Sequence, residues 1–278
     1  MKNILKIMLM MITIFTIAGS AVYAAEIPVS DQDQLITSSD WTEISNLQDE
    51  MKKEEPDATI DYDKALKVYV DCNLIKLQTA DTKKLTSALE SANYVWVIPF
   101  KMEKTYGMFT VAKGLPLREE AKSVLTKAEQ EEVKNHAGKW MITETAEHTV
   151  EPYYDILLEK REALSDCTRV VLVGSQPGMR QPVALGMDDE TARIWISLGY
   201  QYPVMEKIPE TQNVESGVYS FESVAEISDT YIEDSEVSTG VGVQSRSSMK
   251  YVAGIGIVLI GGILILSVLK KKKIKSED

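Results

Sequence analysis

Residues 94–113 read YVWVIPFKMEKTYGMFTVAK. Apolar side chains alternate along the first half, which predicts a strand from Tyr94 to Glu103 with one face buried. Gly107 predicts a tight return into a second strand, Met108 to Lys113. The side chains expected to point inward from the first strand are Trp96, Ile98, Phe100 and Met102. We therefore expect a β-hairpin here and, with it, an antiparallel sheet.

Alternating and helical patterns recur on both sides of this hairpin. Residues 65–77 predict a half-buried strand, with Leu66 and Val68 on its apolar face and Lys67 and Tyr69 on its polar face. Helices are predicted at 81–92, 116–138 and 152–164, and further strands at 170–173, 183–187 and 192–198. Hairpins interspersed with helices are typical of an α+β domain. We expect a mostly antiparallel sheet with helices on one face, spanning residues 59–205.

An acidic segment at 25–58 precedes this domain. Asp40 and Glu43 have the spacing of a capping box, and the apolar residues that follow share one helical stripe. The pattern predicts a short amphipathic helix at 41–52. Its polar face is acidic, so we expect it to dock on the domain rather than on a membrane.

Both ends of the chain have the features of an exported, membrane-anchored protein. Residues 1–24 combine early lysines, an apolar run and small residues near the end, which is typical of a cleaved signal peptide. Residues 251–269 carry no charge and match the length that crosses a bilayer, so a single transmembrane helix is predicted there. The tail, 270–278, begins with the stop-transfer residues Lys270, Lys271, Lys272 and Lys273. Lysines favour the cytoplasmic side, so the domain is expected outside the cell membrane.

The charge distribution follows from this topology. The whole chain has 278 residues and a net charge of −12. Without the predicted signal peptide and tail, 23 basic and 40 acidic residues remain outside, a charge of −17. Such a field repels nucleic acids, which bind through clustered basic residues. Residues 206–250 are acidic and rich in Ser and Thr, and they predict a stalk between the domain and the membrane.

Two cysteines lie in the part expected outside, where oxidising conditions permit disulfides. Cys72 is on the apolar side of a predicted strand and Cys167 directly precedes another. A Cys72–Cys167 disulfide and two buried free thiols both remain open.

The remaining candidate sites each have a plain structural alternative. His148 has acidic neighbours in sequence, but the two-histidine pattern of a helical metal site is missing, so a solvated strand end is favoured. His136 suits a helix C-terminus. Residues 174–178, GSQPG, lack the spacing of a nucleophile elbow and predict a turn. Residues 188–190 lack the pattern of an EF-hand and predict a polar hairpin tip.

No catalytic, cofactor-binding or metal-binding residues emerge from these patterns. The leading hypothesis is a membrane-anchored extracytoplasmic protein that binds or senses a protein partner or small ligand, or serves as an accessory subunit, without a cofactor. The alternatives are a membrane-tethered hydrolase using surface carboxylates, which requires a carboxyl with a raised pKa, and a structural or assembly module.

Overall fold

The computed structural model describes residues 27–148, 150–174, 176–179, 181–200, 202–208 and 213–228. Ten strands lie within them and belong to one sheet. The strands are β1 (Thr59–Ile60), β2 (Leu66–Tyr69), β3 (Tyr94–Lys101), β4 (Tyr106–Lys113), β5 (Trp140–His148), β6 (Arg169–Val173), β7 (Val183–Met187), β8 (Ala192–Ser197), β9 (Asn213–Glu215) and β10 (Val218–Ser220).

The sheet is mixed but mostly antiparallel, as the sequence predicts. Its order is β5-β4-β3-β2-β6-β7-β8-β10-β9, and β1 pairs with β3 beside this path. Among the described strand pairs only β2 and β6 run parallel, and the chain between them supplies the β3–β4–β5 half of the sheet. The α+β class is therefore confirmed.

The hairpin at residues 94–113 is present, with Ile98 paired to Phe109 in β3 and β4. The expected role of Gly107 is wrong. The turn lies earlier, where Met102 donates to the Thr105 carbonyl, and Gly107 is inside β4 opposite Phe100. A Cβ atom on Gly107 would overlap the Phe100 ring, so the glycine is explained by close packing rather than by a turn.

Six α-helices accompany the strands in the described residues, and residues 221–228 are also helical. They are α1 (Trp41–Ser45), α2 (Gln48–Glu54), α3 (Thr82–Glu90), α4 (Glu119–Lys122), α5 (Lys127–His136) and α6 (Tyr153–Glu159), and we call residues 221–228 α7. The helix expected at 41–52 is thus two short helices, and the one expected at 116–138 is also divided. Thr126 explains the second division, because its side chain and that of Glu129 form a capping box that starts α5.

Helices cover both faces of the sheet, which corrects the expectation of one covered face. Val171 and Val173 pack in a cluster with Leu85 of α3, whereas Leu172 packs in another cluster with Leu157 of α6. Neighbouring residues of a strand point to opposite faces. Strands β6 and β7 are apolar at consecutive positions, so each face needs its own cover.

The folded unit extends beyond 59–205 at both ends. Residues 27–58 contribute Leu35, Ile44 and Met51 to a third core cluster, with Trp96 and Phe109. At the other end, part of the predicted stalk belongs to the sheet. Strand β10 pairs with β8. Phe221 and Val224 are buried in the cluster of Trp195, and Val218 is buried on the other face of the sheet, with Ile196.

The predicted membrane features lie outside the described residues. These are the signal peptide at 1–24, the transmembrane helix at 251–269 and the tail lysines at 270–273. Within the part of the chain that the structure describes, no helix has both the length and the apolar character needed to cross a bilayer.

Candidate functional site

The N-terminal residues enter the middle of the sheet. Strands β2 and β6 pair directly only at Val68–Leu172 and Tyr69–Val173. Residues 28–35 fill the space between the earlier parts of these strands, where Val170 donates to the Pro28 carbonyl and Leu35 donates to the Ala65 carbonyl. We call residues 28–35 the N-terminal insert. Its 3-10 turn, Asp31–Asp33, carries a carboxylate between two basic side chains of the sheet.

Asp33 is the centre of a buried polar network. Its Oδ1 accepts a 2.8 Å hydrogen bond from the Tyr69 hydroxyl, and its Oδ2 accepts bonds of 2.6 Å from Ser30 Oγ and 2.9 Å from Arg169 Nη2. The Lys67 ammonium lies 3.8 Å from Oδ1. The side chains of Asp33, Arg169 and Lys67 are 2%, 16% and 10% exposed, so these charges are largely withdrawn from water.

Three aromatic rings complete the surroundings of Lys67. Its ammonium is 4.5 Å from the ring centre of Tyr94, 5.2 Å from that of Trp96 and 5.9 Å from that of Tyr69. These distances permit cation–π attraction. Burial nevertheless lowers the pKa of Lys67, because Asp33 and the rings replace only part of the lost hydration.

Asp40 makes a second anchor from the N-terminal side. Its Oδ2 accepts hydrogen bonds of 2.8 Å from the Tyr94 hydroxyl and 3.0 Å from Trp96 Nε1. The predicted capping box is therefore wrong, since the Asp40 side chain makes no cap contact with α1 and turns to the sheet instead. Burial, followed by the contact with Asp40, raises the pKa of Tyr94. The same causes, with Asp33 as the acid, raise the pKa of Tyr69.

We call Asp33, Asp40, Lys67 and Arg169 the buried charge cluster. Two carboxylates and two basic groups are compatible with an overall neutral set, and each carboxylate accepts hydrogen bonds from side chains of the domain itself. The direct effect of this arrangement is to hold residues 28–40 against the sheet. Sequence reasoning missed it, because Lys67 was assigned to a polar face that the N-terminal insert in fact covers.

Cys72 and Cys167 are free thiols in the structure. They belong to different apolar clusters, which lie on opposite faces of the sheet. Burial raises the pKa of each thiol to about 11. The thiolate is the reactive form of cysteine, so neither residue is activated as a nucleophile at neutral pH.

The turn at 174–178 has a structural role. Gln176 is buried, its Nε2 donates to the carbonyls of Cys72 and Gly174, and its Oε1 accepts from the Leu74 N–H. It therefore joins the loop after β6 to the loop after β2. Gly178 has a φ of +73°, as expected for a turn that needs glycine at this position.

The other candidates also have structural surroundings. Asp188 accepts from the N–H groups of Glu190 and Thr191, which lowers its pKa and forms the polar hairpin tip. His136 is in the last turn of α5, and His148 ends β5. Across the described ranges, no three His, Cys, Asp or Glu side chains are grouped so that they could hold a metal ion.

Comparisons with known proteins identify no relative. No protein-family model matches the chain, no curated protein matches it, and no solved structure matches it.

Proposed function

We propose that this chain is a single-pass cell-membrane protein whose extracytoplasmic α+β domain binds or senses a partner, or serves as an accessory subunit, without a catalytic site. The domain lies outside and the lysine-rich tail inside. Export by residues 1–24 and anchoring by residues 251–269 support this topology independently, since each pattern predicts the same orientation.

The position of the domain relative to the membrane supports an accessory role. The last described residue of α7 is 228, and 22 residues, 229–250, lie between it and the predicted membrane helix. A flexible chain of that length has a root-mean-square span of about 25 Å. The domain is then held close to its own membrane, within reach of other proteins embedded there.

The observation that supports the binding role is that the buried charged groups contact only the domain itself among the described residues. The carboxylates of Asp33 and Asp40 accept hydrogen bonds that fix the N-terminal residues to the sheet. Hydrogen bonds lower the pKa of the Glu129 and Asp188 carboxyls, which is opposite to the shift that the hydrolase alternative requires of a catalytic acid. This favours a function performed by the domain surface.

Single-cysteine labelling tests the topology. Ser87 is exposed on α3 and Ser276 is in the tail, so S87C and S276C report the two sides. A membrane-impermeant maleimide should label S87C in intact cells and S276C only after lysis. The chain without either substitution measures background from the two native thiols, of which Cys167 is buried and Cys72 is partly buried. Labelling of S276C in intact cells would contradict the proposed orientation.

Cross-linking in intact membranes tests the binding role. The full chain should capture a discrete protein that an anchor made of residues 229–278 with the same signal peptide does not capture. Identical captures by both would assign the partner to the membrane helix and refute a binding role for the domain. Turnover of a chromogenic ester or glycoside by the full chain would favour the hydrolase alternative instead.

A further inference from the structure

The sheet ends at β5 in an exposed edge. Strand β5 pairs with β4 on one side, and no described strand pairs with it on the other. A bulge at Thr143 interrupts the pairing, because Thr110 pairs with Glu144 whereas Val111 pairs with Ile142. The uninterrupted part of the edge is therefore 144–148. Alternate residues of such a strand direct N–H and C=O groups away from the sheet, where another extended chain can pair with them.

This edge carries acid on both faces. Glu144 pairs with Thr110, whereas Glu147 pairs with Gly107, and these positions alternate on β4. The two glutamates therefore point to opposite faces of the sheet. Both are exposed, and neither has an ion-pair partner among the described residues. Glu54 of α2 adds acid beside Thr145, whose hydroxyl donates to it.

The charges decide which chain fits this edge. In a second copy pairing antiparallel around Ala146, Glu147 of each copy would lie diagonally across from Glu147 of the other on the same face, and like charges close together across strands destabilise such a pair. A chain with basic residues opposite Glu144 and Glu147 gains two cross-strand ion pairs. Since the two acids are three residues apart and on opposite faces, the matching basic residues must also be three apart.

We propose that the edge 144–148 binds an extended protein segment as an added strand, and that the segment carries two Lys or Arg residues at positions i and i+3. This inference rests on the proposed binding function and specifies the class of its partner. Main-chain hydrogen bonds supply the attachment, and the spacing of the basic residues supplies the selectivity.

Two peptides of identical composition and charge test the spacing. Acetyl-TKVVKT-amide has its lysines three apart, and acetyl-TKVKVT-amide has them two apart, on one face. Binding to the full chain in detergent is followed by isothermal titration and by amide hydrogen exchange of residues 140–148. We expect the first peptide to bind at least about threefold more tightly and to slow exchange of the edge amides.

Matched charge variants locate the site. E144Q/E147Q should weaken binding of the first peptide about fivefold, the size of two cross-strand ion pairs. E159Q/E162Q removes the same charge from exposed positions in and after α6 and should leave binding unchanged. Equal affinity for both peptides, equal loss in both variants, or no binding at all would overturn the edge proposal. If cross-linking still captures a partner of the domain, the binding function stands and only its location is wrong.

Discussion

Replacement of Asp33 by alanine should strongly destabilise the domain. The substitution removes three hydrogen bonds to the Asp33 carboxylate, from Tyr69, Ser30 and Arg169. Hydrogen bonds to a charged group contribute about 1.5–3 kcal/mol each, and within one network these contributions are not additive. It also leaves Lys67 and Arg169 with Asp40 as the remaining acid of the cluster, and breaking a buried ion pair typically costs about 3–5 kcal/mol. We expect the free energy of unfolding to fall by about 3–4 kcal/mol.

Pulse proteolysis of the full chain in urea measures this loss without removing the membrane segments. D31A is the matched control, because Asp31 lies on the same turn with its side chain exposed, and it should change the free energy by less than about 0.5 kcal/mol. A double-mutant cycle with R169M isolates the pair, and its coupling energy should exceed about 1 kcal/mol. A loss below 1 kcal/mol for D33A, or a coupling energy of zero, would refute the assigned role of the cluster.

Three further predictions follow from the packing and titration of the core. G107A should lower the free energy of unfolding by about 1–3 kcal/mol, because the new methyl group overlaps the Phe100 ring. Adding F100L should recover part of this loss, because it removes that ring. An equal loss in G107A and in G107A/F100L would contradict this explanation. Iodoacetamide should alkylate both Cys72 and Cys167 in the denatured, unreduced protein and neither at pH 8 in the native protein; protection after denaturation would demonstrate a bridge. The free energy of unfolding should keep its full tyrosine contribution below about pH 10 and decrease above it, because the unfolded chain then loses tyrosine protons that the native state retains. Tyrosinate absorbance at 295 nm should appear together with unfolding. Its appearance in the folded protein at pH 10.5 would show that these hydroxyls are accessible. The tyrosines with a raised pKa concerned here are Tyr69, Tyr94, Tyr153 and Tyr202.

Local patterns predicted the strands of this domain well, because alternation of apolar side chains is a property of neighbouring residues. The hairpin and strands β6 to β8 were found in this way. Patterns that depend on distant partners were misread. Asp40 had the local signature of a helix cap, but the hydroxyl of Tyr94 and the indole of Trp96 compete for the same oxygen.

The buried charge cluster could not be predicted from local patterns either, because its partners are distant in sequence. Lys67 was assigned to a polar face and Trp96 to an apolar one, yet the register pairs them, so they share one face. Only the route of the N-terminal insert explains how a lysine beside a tryptophan is covered. Likewise, the composition of residues 206–250 is polar on average, and the few apolar side chains that dock on β8 are too sparse to alter that average.

The N-terminal insert has a consequence for the order of folding during synthesis. Asp33 is made early, but its partner Arg169 follows 136 residues later. At about 5–20 residues per second, the insert waits about 7 to 30 s for β6, whereas a hairpin such as β3–β4 closes in microseconds. The centre of the sheet therefore cannot close before β6 has been made, and its apolar edges stay available to chaperones or to misassembly until then.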